Sequence, residues 1–305
     1  MMKKDFLTIR DFSQDEILGT LELATEMKAH PQNYASVLKG KTLAMIFEKP
    51  SLRTRVTFDV GIHQLGGFSV SLLPMEISLG KRESIHDVAK NLERMVQAIM
   101  IRTFSHQIVV DMARFASIPI INGLTDYSHP CQALADFLTI QEVKGDLKGL
   151  KLCFVGDGNN VAHSLMFTGA RLGTHVTIAC PKGYGPSPVA FQYATEDAKE
   201  TGARIEVVHD PFEGVKDADV IYTDVWASMG QESEVEARKA IFHTFQVNKQ
   251  LMAKAKSGAI FMHCLPAHRG DEVTDEVIDS ATSVVFQEAE NRLHAQKAVM
   301  VQLMK

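Results

Sequence analysis

Residues 42–58, TLAMIFEKPSLRTRVTF, place a continuous apolar run directly before the start of a helix. The run Thr42–Phe47 is short and uninterrupted, as in parallel strands that are covered on both faces. Pro50 and Ser51 then begin a helix predicted over Leu52–Leu65. Proline suits a first helical turn, and a serine hydroxyl there accepts a hydrogen bond from a backbone N–H. A buried strand followed at once by a helix is the repeating unit of an α/β fold.

The same alternation of strand and helix continues along most of the chain. Further strands are predicted at Ala98–Ile101, Ile118–Ile121, Leu152–Val155, His175–Ala179, Arg204–Val207, Val220–Tyr222 and Ala259–Met262. Further helices are predicted at Ile85–Met95, Gln132–Val143, Val161–Leu172 and Pro188–Glu200. We therefore predict an α/β fold of two domains, each a mainly parallel sheet flanked by helices.

A polar, glycine-bearing stretch at Lys144–Lys151, KGDLKGLK, separates the two halves of the chain. It predicts a first domain over residues 1–145 and a second over residues 150–287. The remaining segment, about residues 288–305, has helical composition, and we expect this C-terminal helix to pack back on the first domain. The second half restarts with a strand and a glycine turn, as an independent α/β domain would.

Composition and charge exclude several classes of function. The 305 residues carry a formal net charge of −5, and no block of lysine and arginine offers a surface for nucleic acid. No run approaches the roughly 20 apolar residues of a membrane span, and the first residues lack a secretory signal. The four cysteines are widely spaced and form no CxxC pair. We therefore expect a cytoplasmic protein with reduced thiols and with no metal, cofactor, nucleic-acid partner or membrane partner.

Arg53 and Arg55 lie in or near the first turn of the helix that follows the first strand. A helix N-terminus already carries about half a positive charge, so each arginine there costs about 0.3–1 kcal/mol at an exposed site. A bound dianion would reverse that sign and accept hydrogen bonds from the same groups. The alternative is that both arginines are solvated or pair with Glu48 and Asp59. The strand–Pro–Ser–helix setting favours a phosphate site.

Two more polar groups follow strands of the same predicted sheet. Arg102 comes directly after the strand Ala98–Ile101, and His129–Gln132, HPCQ, opens a predicted helix. Ligands of open α/β sheets bind beyond the carboxyl ends of the strands. A single arginine or His-Pro pair is usually a surface charge or a turn, but neighbouring strand ends converge. We therefore expect Arg102, His129 and Gln132 to join Arg53.

The second half of the chain carries an acidic counterpart. Asp224 follows the strand Val220–Tyr222, and its loop contains Glu232, Glu234 and Glu236 with no cation before Arg238. This balance suits an ammonium group and would repel a dianion. An ordinary solvated acidic loop is the alternative interpretation.

The turn Gly156–Asn160, GDGNN, raises a third possibility, because glycines between a strand and a helix occur in dinucleotide-binding folds. The match is poor. Val161 occupies the third glycine position, and no acidic residue ends the next strand to bind a ribose hydroxyl. A nicotinamide-dependent dehydrogenase is therefore disfavoured.

Taken together, the motifs resemble those of the aspartate/ornithine carbamoyltransferase family. The resemblance begins with Ser51–Arg55, SLRTR, and His129–Gln132, and it extends nearly end to end. Its later motifs are Gly156–Asn160, Asp224–Gly230 (DVWASMG), His263–Pro266 (HCLP) and Glu290–Arg292 (ENR). Their order and spacing resemble those of the ornithine-specific members.

The resemblance implies two substrates, carbamoyl phosphate and L-ornithine, and a transfer that gives L-citrulline and phosphate. The implied carbamoyl-phosphate residues are Ser51, Leu52, Arg53, Thr54, Arg102, His129, Gln132, Leu265 and Arg292. The implied ornithine residues are Asn160, Asp224, Ser228, Met229 and Cys264. Arg102, His129 and Cys264 are the implied catalytic residues. The resemblance further implies a cis Leu265–Pro266 bond and a homotrimer whose subunits share active sites.

Two positions depart from the usual family pattern. Leu52 stands where many members have threonine, so a hydroxyl contact to phosphate is missing there, although the backbone N–H remains. Ser78 stands where relatives often have a longer polar residue. For Cys264, a small buried residue is the alternative to a substrate contact. Another carbamoyltransferase, acting on aspartate, putrescine or an N-acylated ornithine, and a non-catalytic regulator remain alternatives.

Overall fold

The structure, a computed structural model, describes residues 3–77, 79–80, 82–228 and 230–305, without the side chains of residues 75, 76 and 232. The chain forms two compact units. The first comprises residues 1–138 with 290–305, and the second comprises residues 139–289. Among the described helices, none has the length and apolarity that a bilayer span requires.

Among the described residues, nine strands form two sheets. The strands are β1 Thr42–Phe47, β2 Phe68–Leu72, β3 Ala98–Arg102, β4 Ile120–Leu124, β5 Lys151–Val155, β6 His175–Ala179, β7 Ile205–Val208, β8 Val220–Thr223 and β9 Ile260–His263. The first unit holds a four-stranded sheet of order β2-β1-β3-β4, and the second holds a five-stranded sheet of order β7-β6-β5-β8-β9. All pairings between these strands are parallel.

Helices connect successive strands and cover the sheets. They are α1 Gln14–Ala29, α2 Leu52–Gln64, α3 Pro74–Ile77, α4 Ile85–Leu92, α5 His106–Phe115, α6 Pro130–Lys144, α7 Asn160–Leu172, α8 Pro188–Thr201, α9 Pro211–Val215, α10 Val235–Phe242, α11 Lys249–Met252, α12 Asp275–Ile278 and α13 Val285–Met304. Short 3₁₀ turns occur at Ile9–Asp11, Pro31–Tyr34, Glu232–Glu234 and His243–Phe245. The predicted α/β class, with parallel sheets flanked by helices, is confirmed.

The last helix belongs largely to the first unit. Gly61 of α2 faces it so closely that a Cβ at this position would lie 3.0 Å from Cε of Met300 and 3.2 Å from Cγ of Lys297. Residues 290–305 are therefore packed against the helix that follows β1, as the sequence predicted for the C-terminal helix.

Two details of the first sheet differ from the sequence prediction. The strand expected at Ile118–Ile121 is β4, Ile120–Leu124, which is shifted along the chain. Pro119 has no N–H to donate, and only its carbonyl takes part, accepting the N–H of Ile99 at 3.0 Å. The edge strand β2 was missed because its serines alternate with apolar residues and it is half exposed, so it gives no continuous apolar run.

Sheet register sets where the functional side chains lie. Phe47 at the end of β1 aligns with Arg102, which in turn aligns with Leu124 of β4. In the second unit, Thr223 of β8 lies between Val155 and His263. Strand order there reverses between β5 and β8, and the crevice at such a reversal is where open α/β sheets bind ligands.

Candidate active site

The start of α2 forms as the sequence predicted. Ser51 has an extended backbone, and its Oγ accepts the backbone N–H of Thr54 at 3.2 Å. Leu52, in the first turn, is 74% exposed. Arg53 is half-buried, whereas Arg55 on the same helix is exposed. The two arginines therefore have different environments, and only Arg53 belongs to the buried cluster described next.

Thr54 is the fixed centre of that cluster. It is fully buried, and its Oγ1 lies 2.6 Å from Nη2 of Arg292 and 3.4 Å from Nη1 of Arg102. Arg102 and Arg292 are themselves buried. The Nε of Arg53 is also buried and has no hydrogen-bond partner in the part of the chain that the structure describes. Guanidinium groups from β3 and α13 thus meet at one hydroxyl on α2, with that of Arg53 on the same helix.

His129 lies in this positive environment. It is 4% exposed, and burial lowers its pKa well below the ordinary value. The surrounding cations lower the pKa further, in decreasing order Arg292, Arg102, Arg53 and Lys49. Because a second proton would place another positive charge among these groups, the imidazole is neutral at physiological pH. It can therefore act as a neutral hydrogen-bonding group.

Gln132 and Lys49 are the remaining candidate residues of this site in the first unit. The Nε2 of Gln132 donates to Oδ1 of Asp136 at 2.7 Å, which fixes the orientation of the amide. The Lys49 side chain is 4% exposed, and its Nζ lies 2.5 Å from Oδ1 of Asp126 and 4.3 Å from the centre of the Phe104 ring. Sequence reasoning missed Lys49, although it stands between a strand end and a capped helix start, where ligand-binding residues concentrate.

In the second unit, one carboxylate joins residues from three strand ends. Asp224 is 8% exposed. Its Oδ2 accepts from Nδ2 of Asn159 at 2.8 Å, and its Oδ1 accepts from the N–H of Val225 at 2.8 Å and from Sγ of Cys264 at 3.1 Å. Asn159 follows β5, Asp224 follows β8 and Cys264 follows β9. The predicted residues Asp224 and Cys264 are therefore brought together.

Asn159 was not predicted, although the neighbouring Asn160 was. The Oδ1 of Asn159 caps α7 by accepting the N–H groups of Val161 at 2.9 Å and Ala162 at 3.2 Å. Its amide nitrogen is thereby aimed at Asp224. Asn160 is the first residue of α7 and is half-buried. An asparagine directly before an apolar helix is a capping signal in the sequence, and this signal could have identified Asn159.

The turn His263–Pro266 has an unusual backbone. The Leu265–Pro266 bond is cis, which confirms the prediction, and Leu265 has φ of +56°. A left-handed conformation at a residue with a branched side chain costs about 1–3 kcal/mol and occurs mainly at functional sites. Asp224, His263 and Cys264 hold potential metal-ligand atoms within 4.8 Å of one another. Both ring nitrogens of His263 are, however, engaged in hydrogen bonds within the protein.

The loop after Asp224 is less acidic than its sequence indicates. Arg238 is buried, and its Nε lies 2.9 Å from Oε2 of Glu234. Its Nη1 donates to Oδ2 of Asp157 at 2.8 Å and to the carbonyl oxygen of Trp226 at 2.9 Å. Since Arg238 compensates Glu234, the prediction that the loop's glutamates favour an ammonium is weakened. The buried carboxylate of Asp224 is the stronger candidate.

Of the two predicted residues Ser228 and Met229, only Ser228 is described by the structure. Ser228 is half-buried, and its backbone N–H donates to Oε1 of Gln231 at 2.9 Å. Met229 and Ser78 lie outside the described residues. Ser51, Arg53, Thr54, Arg102, His129, Gln132 and Arg292 lie in the first unit, whereas Asn160, Asp224, Ser228, Cys264 and Leu265 lie in the second. The first unit thus holds the cationic cluster around Thr54, and the second holds the carboxylate of Asp224 with Asn159 and Cys264; we call these two places half-sites.

The chain matches known proteins over nearly its whole length. Residues 4–142 match the aspartate/ornithine carbamoyltransferase carbamoyl-P binding domain, and residues 148–303 match the Asp/Orn binding domain of the same family. The chain therefore belongs to the aspartate/ornithine carbamoyltransferase family.

Individual relatives are similar across both units. An ornithine carbamoyltransferase of Thermococcus kodakarensis is 57% identical over 303 residues, covering 99% of this chain and 96% of the relative. The solved structure of ornithine carbamoyltransferase from Pyrococcus furiosus is 54% identical, with a TM-score of 0.96, and covers 99% of this chain and 97% of that one. A solved N-acetyl-L-ornithine transcarbamylase mutant is 33% identical, with a TM-score of 0.89, and the match covers 98% of this chain and 99% of that one.

Proposed function

We propose that the protein transfers the carbamoyl group of carbamoyl phosphate to the δ-amine of L-ornithine, giving L-citrulline and phosphate. The observation that carries this proposal is that the first unit holds a buried cationic cluster around Thr54 and the second holds the buried carboxylate of Asp224. The first suits a dianionic phosphoryl group and the second suits an ammonium. Relatives named ornithine carbamoyltransferase, similar over the whole chain, support the same substrates.

Carbamoyl phosphate is assigned to the first unit. Ser51, Arg53, Thr54, Arg102 and the backbone N–H of Leu52 would bind the phosphate, where helix N–H groups and guanidinium groups combine favourably. His129, Arg102 and Thr54 would surround the carbonyl oxygen. Gln132 and Arg292, with the carbonyl of Leu265, would bind the carbamoyl amide. The substrate domains that the sequence predicts are residues 1–145 with 288–305 and residues 150–287.

Ornithine is assigned to the second unit. Asp224 and Ser228 would bind the α-ammonium, with Met229 nearby, and Asn160 would bind the α-carboxylate. Cys264, hydrogen-bonded to Asp224 at 3.1 Å, would contact the reacting amine. An N-acylated ornithine carries no α-ammonium and would lack the charge-assisted contact with Asp224. Putrescine would leave Asn160 without a carboxylate. Both amines remain the alternatives to test.

The chemistry requires no covalent enzyme intermediate. The lone pair of the neutral δ-amine attacks the carbonyl carbon and a tetrahedral oxyanion forms. The oxyanion then returns to a carbonyl as the C–O bond to phosphate breaks, and the proton lost by the amine nitrogen passes to the departing phosphate. Arg102, Thr54 and neutral His129 would donate hydrogen bonds to the developing oxyanion. Holding the two substrates together supplies much of the remaining rate enhancement. Because only the neutral amine reacts, we expect the rate to rise between about pH 6 and 9.

A homotrimer with shared active sites is also proposed. The edge strand β2 exposes Phe68 and Val70, and α2 exposes Leu52, Val56 and Val60 at intervals of one turn. Exposed strand edges and apolar stripes of this kind are usually covered by another chain. Sedimentation of the purified protein tests this proposal, and a monomeric active enzyme would contradict it.

The central test is citrulline formation by the wild type and two variants, with carbamoyl phosphate and each candidate amine supplied in turn. Arg53→Ala should raise the KM for carbamoyl phosphate about 100-fold, because a charge-assisted contact to phosphate is lost. Arg55→Ala is the matched control, since this exposed arginine lies on the same helix. It should change either KM less than about twofold.

Two results would contradict the proposed function. A strong preference for putrescine or an acylated ornithine would overturn the choice of acceptor. A rate at saturating substrates that is flat from about pH 6 to 9 would count against the neutral-amine mechanism.

A further inference from the structure

The turn that carries Cys264 and Leu265 has two fully buried carboxylates behind it. Glu272 and Glu288 both have zero exposure. The Oε1 of Glu288 accepts from the Tyr222 hydroxyl at 3.0 Å, and its Oε2 accepts the backbone N–H of His263 at 2.9 Å. The Oε1 of Glu272 accepts the backbone N–H of His268 at 2.6 Å. Each carboxylate is thus anchored by one group and also contacts His263.

The two ring nitrogens of His263, which is fully buried, have opposite roles. Its Nδ1 accepts the backbone N–H of Leu265 at 2.8 Å, so this nitrogen carries no proton. The Nε2, 3.1 Å from Oε1 of Glu272, therefore carries the proton of the neutral ring. Its N–H donates a hydrogen bond to the carboxylate. The network fixes one tautomer and one ring orientation.

The hydrogen bond to Leu265 is placed where the backbone needs support. Leu265 adopts φ of +56°, a conformation that relaxes unless its surroundings hold it. The neighbouring Cys264 contacts Asp224 through its thiol. If the Leu265 N–H lost its acceptor, the strained backbone of the turn would be less stable and would change conformation. Cys264 and the carbonyl of Leu265 would then move together.

We propose that His263 is a positioning residue for the transfer reaction: its Nδ1, left without a proton because Nε2 donates to Glu272, holds the Cys264–Leu265 turn in the geometry that aligns the reacting amine. This inference rests on the proposed function. It assigns no substrate contact to His263. The reactive end of ornithine, which Cys264 would contact, is thereby distinguished from the α-amino-acid end, which Asp224 and Asn160 would bind.

Two substitutions separate the roles of the ring nitrogens. In His263→Asn, the side-chain oxygen stands in for Nδ1 and can still accept the Leu265 N–H, while the contact to Glu272 is lost. In His263→Gln, the amide nitrogen stands in for Nε2 and can still donate to Glu272, while Leu265 is left without its acceptor. Both side chains are smaller than imidazole and polar, so each is the matched control for the other.

The readouts are kcat for citrulline formation and the binding of L-norvaline, the ornithine skeleton without its δ-amine, measured by calorimetry in the presence of carbamoyl phosphate. We expect His263→Gln to lower kcat about 10- to 100-fold, because small misplacements of reacting groups have effects of this size. Norvaline affinity should stay within about threefold of the wild type. His263→Asn should retain kcat within about threefold.

Equal losses in both variants, or a larger loss in His263→Asn, would overturn the inference. A parallel loss of norvaline affinity in His263→Gln would also overturn it, because the effect would not be confined to the reactive end. A second measurement covers the case in which His263→Gln does not fold: ¹⁵N NMR of histidine-labelled wild type must show a neutral His263 with its proton on Nε2. A wild type that forms no citrulline would instead refute the proposed function.

Discussion

The two half-sites carry opposite charges, and they differ in how those charges are compensated before a ligand binds. In the first unit, the guanidinium groups of Arg102 and Arg292 meet at Thr54, on the helix that also carries Arg53, and a bound anion would reduce their mutual repulsion. In the second unit, the carboxylate of Asp224 already has three donors. We therefore expect a bound anion to stabilise the cationic site, whereas the carboxylate of Asp224 already accepts hydrogen bonds without a ligand. Removing a charge from the cationic half-site and removing one from the carboxylate half-site should therefore change the free energy of unfolding of the unliganded protein in opposite directions.

The largest effect is expected for Arg102→Met. Its guanidinium is proposed to bind both the phosphate and the developing oxyanion, so kcat/KM should fall about 10³-fold. The melting temperature without ligand should stay unchanged or rise, because one of several clustered like charges is removed. Steady-state kinetics and thermal unfolding without phosphate measure the two quantities. A marked loss of unliganded stability with carbamoyl-phosphate affinity retained would show that Arg102 is structural.

Asp224→Asn should act on the other substrate. We expect the KM for ornithine to rise about 100-fold, since a buried partner of the α-ammonium loses its charge. Carbamoyl-phosphate affinity should stay within about threefold, and unliganded stability should fall because the donors around Asp224 lose a charged acceptor. Glu236→Gln is the control: this exposed glutamate in the same acidic segment should change the KM less than about twofold. Equal effects of the two substitutions would favour a diffuse acidic loop.

A smaller, pH-dependent effect is expected from His129. Its pKa in the folded protein lies well below the ordinary value of 6.5. As the pH falls below about 6.5, the unfolded chain therefore binds the proton first, and stability decreases by up to about 1.4 kcal/mol per pH unit. His129→Gln should thus reduce the drop in melting temperature between about pH 7.5 and 5.5 by about 2–4 °C.

The exposed His30 provides the control for this measurement. His30→Gln should leave the pH dependence of the melting temperature as in the wild type. If His129→Gln also leaves it unchanged, His129 is not the neutral buried group described above.

The smallest effect concerns Leu52, which is 74% exposed at the start of α2. Leu52→Thr supplies the side-chain hydroxyl that the family resemblance leads us to expect at this position, and we expect the KM for carbamoyl phosphate to fall about two- to fivefold. The KM for ornithine should not change. A rise in the carbamoyl-phosphate KM would mean that the apolar side chain at position 52 serves the site or a subunit contact.

The sequence predicted best those features that depend on neighbours along the chain. Strand β1, the cap at Ser51 and the strand-end positions of Arg102 and Asp224 follow from local pattern and from the rule that sheet ligands bind beyond strand ends. Arg292 could not be found in this way, because its contact with Thr54 joins residues 238 positions apart. It came from the family resemblance alone.

Residues that act through a distant partner were missed for the same reason. Glu272 and Glu288 have no local signature, since a buried glutamate in a sequence looks like any surface glutamate. Arg238 was noted only as the end of an acidic stretch, whereas in the structure it neutralises Glu234 and binds Asp157. Charge counted along a chain does not reveal which charges are compensated in space.

The division of the chain also has a consequence for biosynthesis. The second unit is one continuous segment, residues 139–289, but the first requires residues 290–305 in addition to residues 1–138. On a ribosome, residues 1–138 are translated before residues 290–305, so α2 lacks its helical cover and Thr54 lacks Arg292 until the second unit has also been translated. The nascent first unit would therefore remain incomplete while the second matures. An N-terminal fragment of residues 1–138 should expose apolar surface and depend on chaperones.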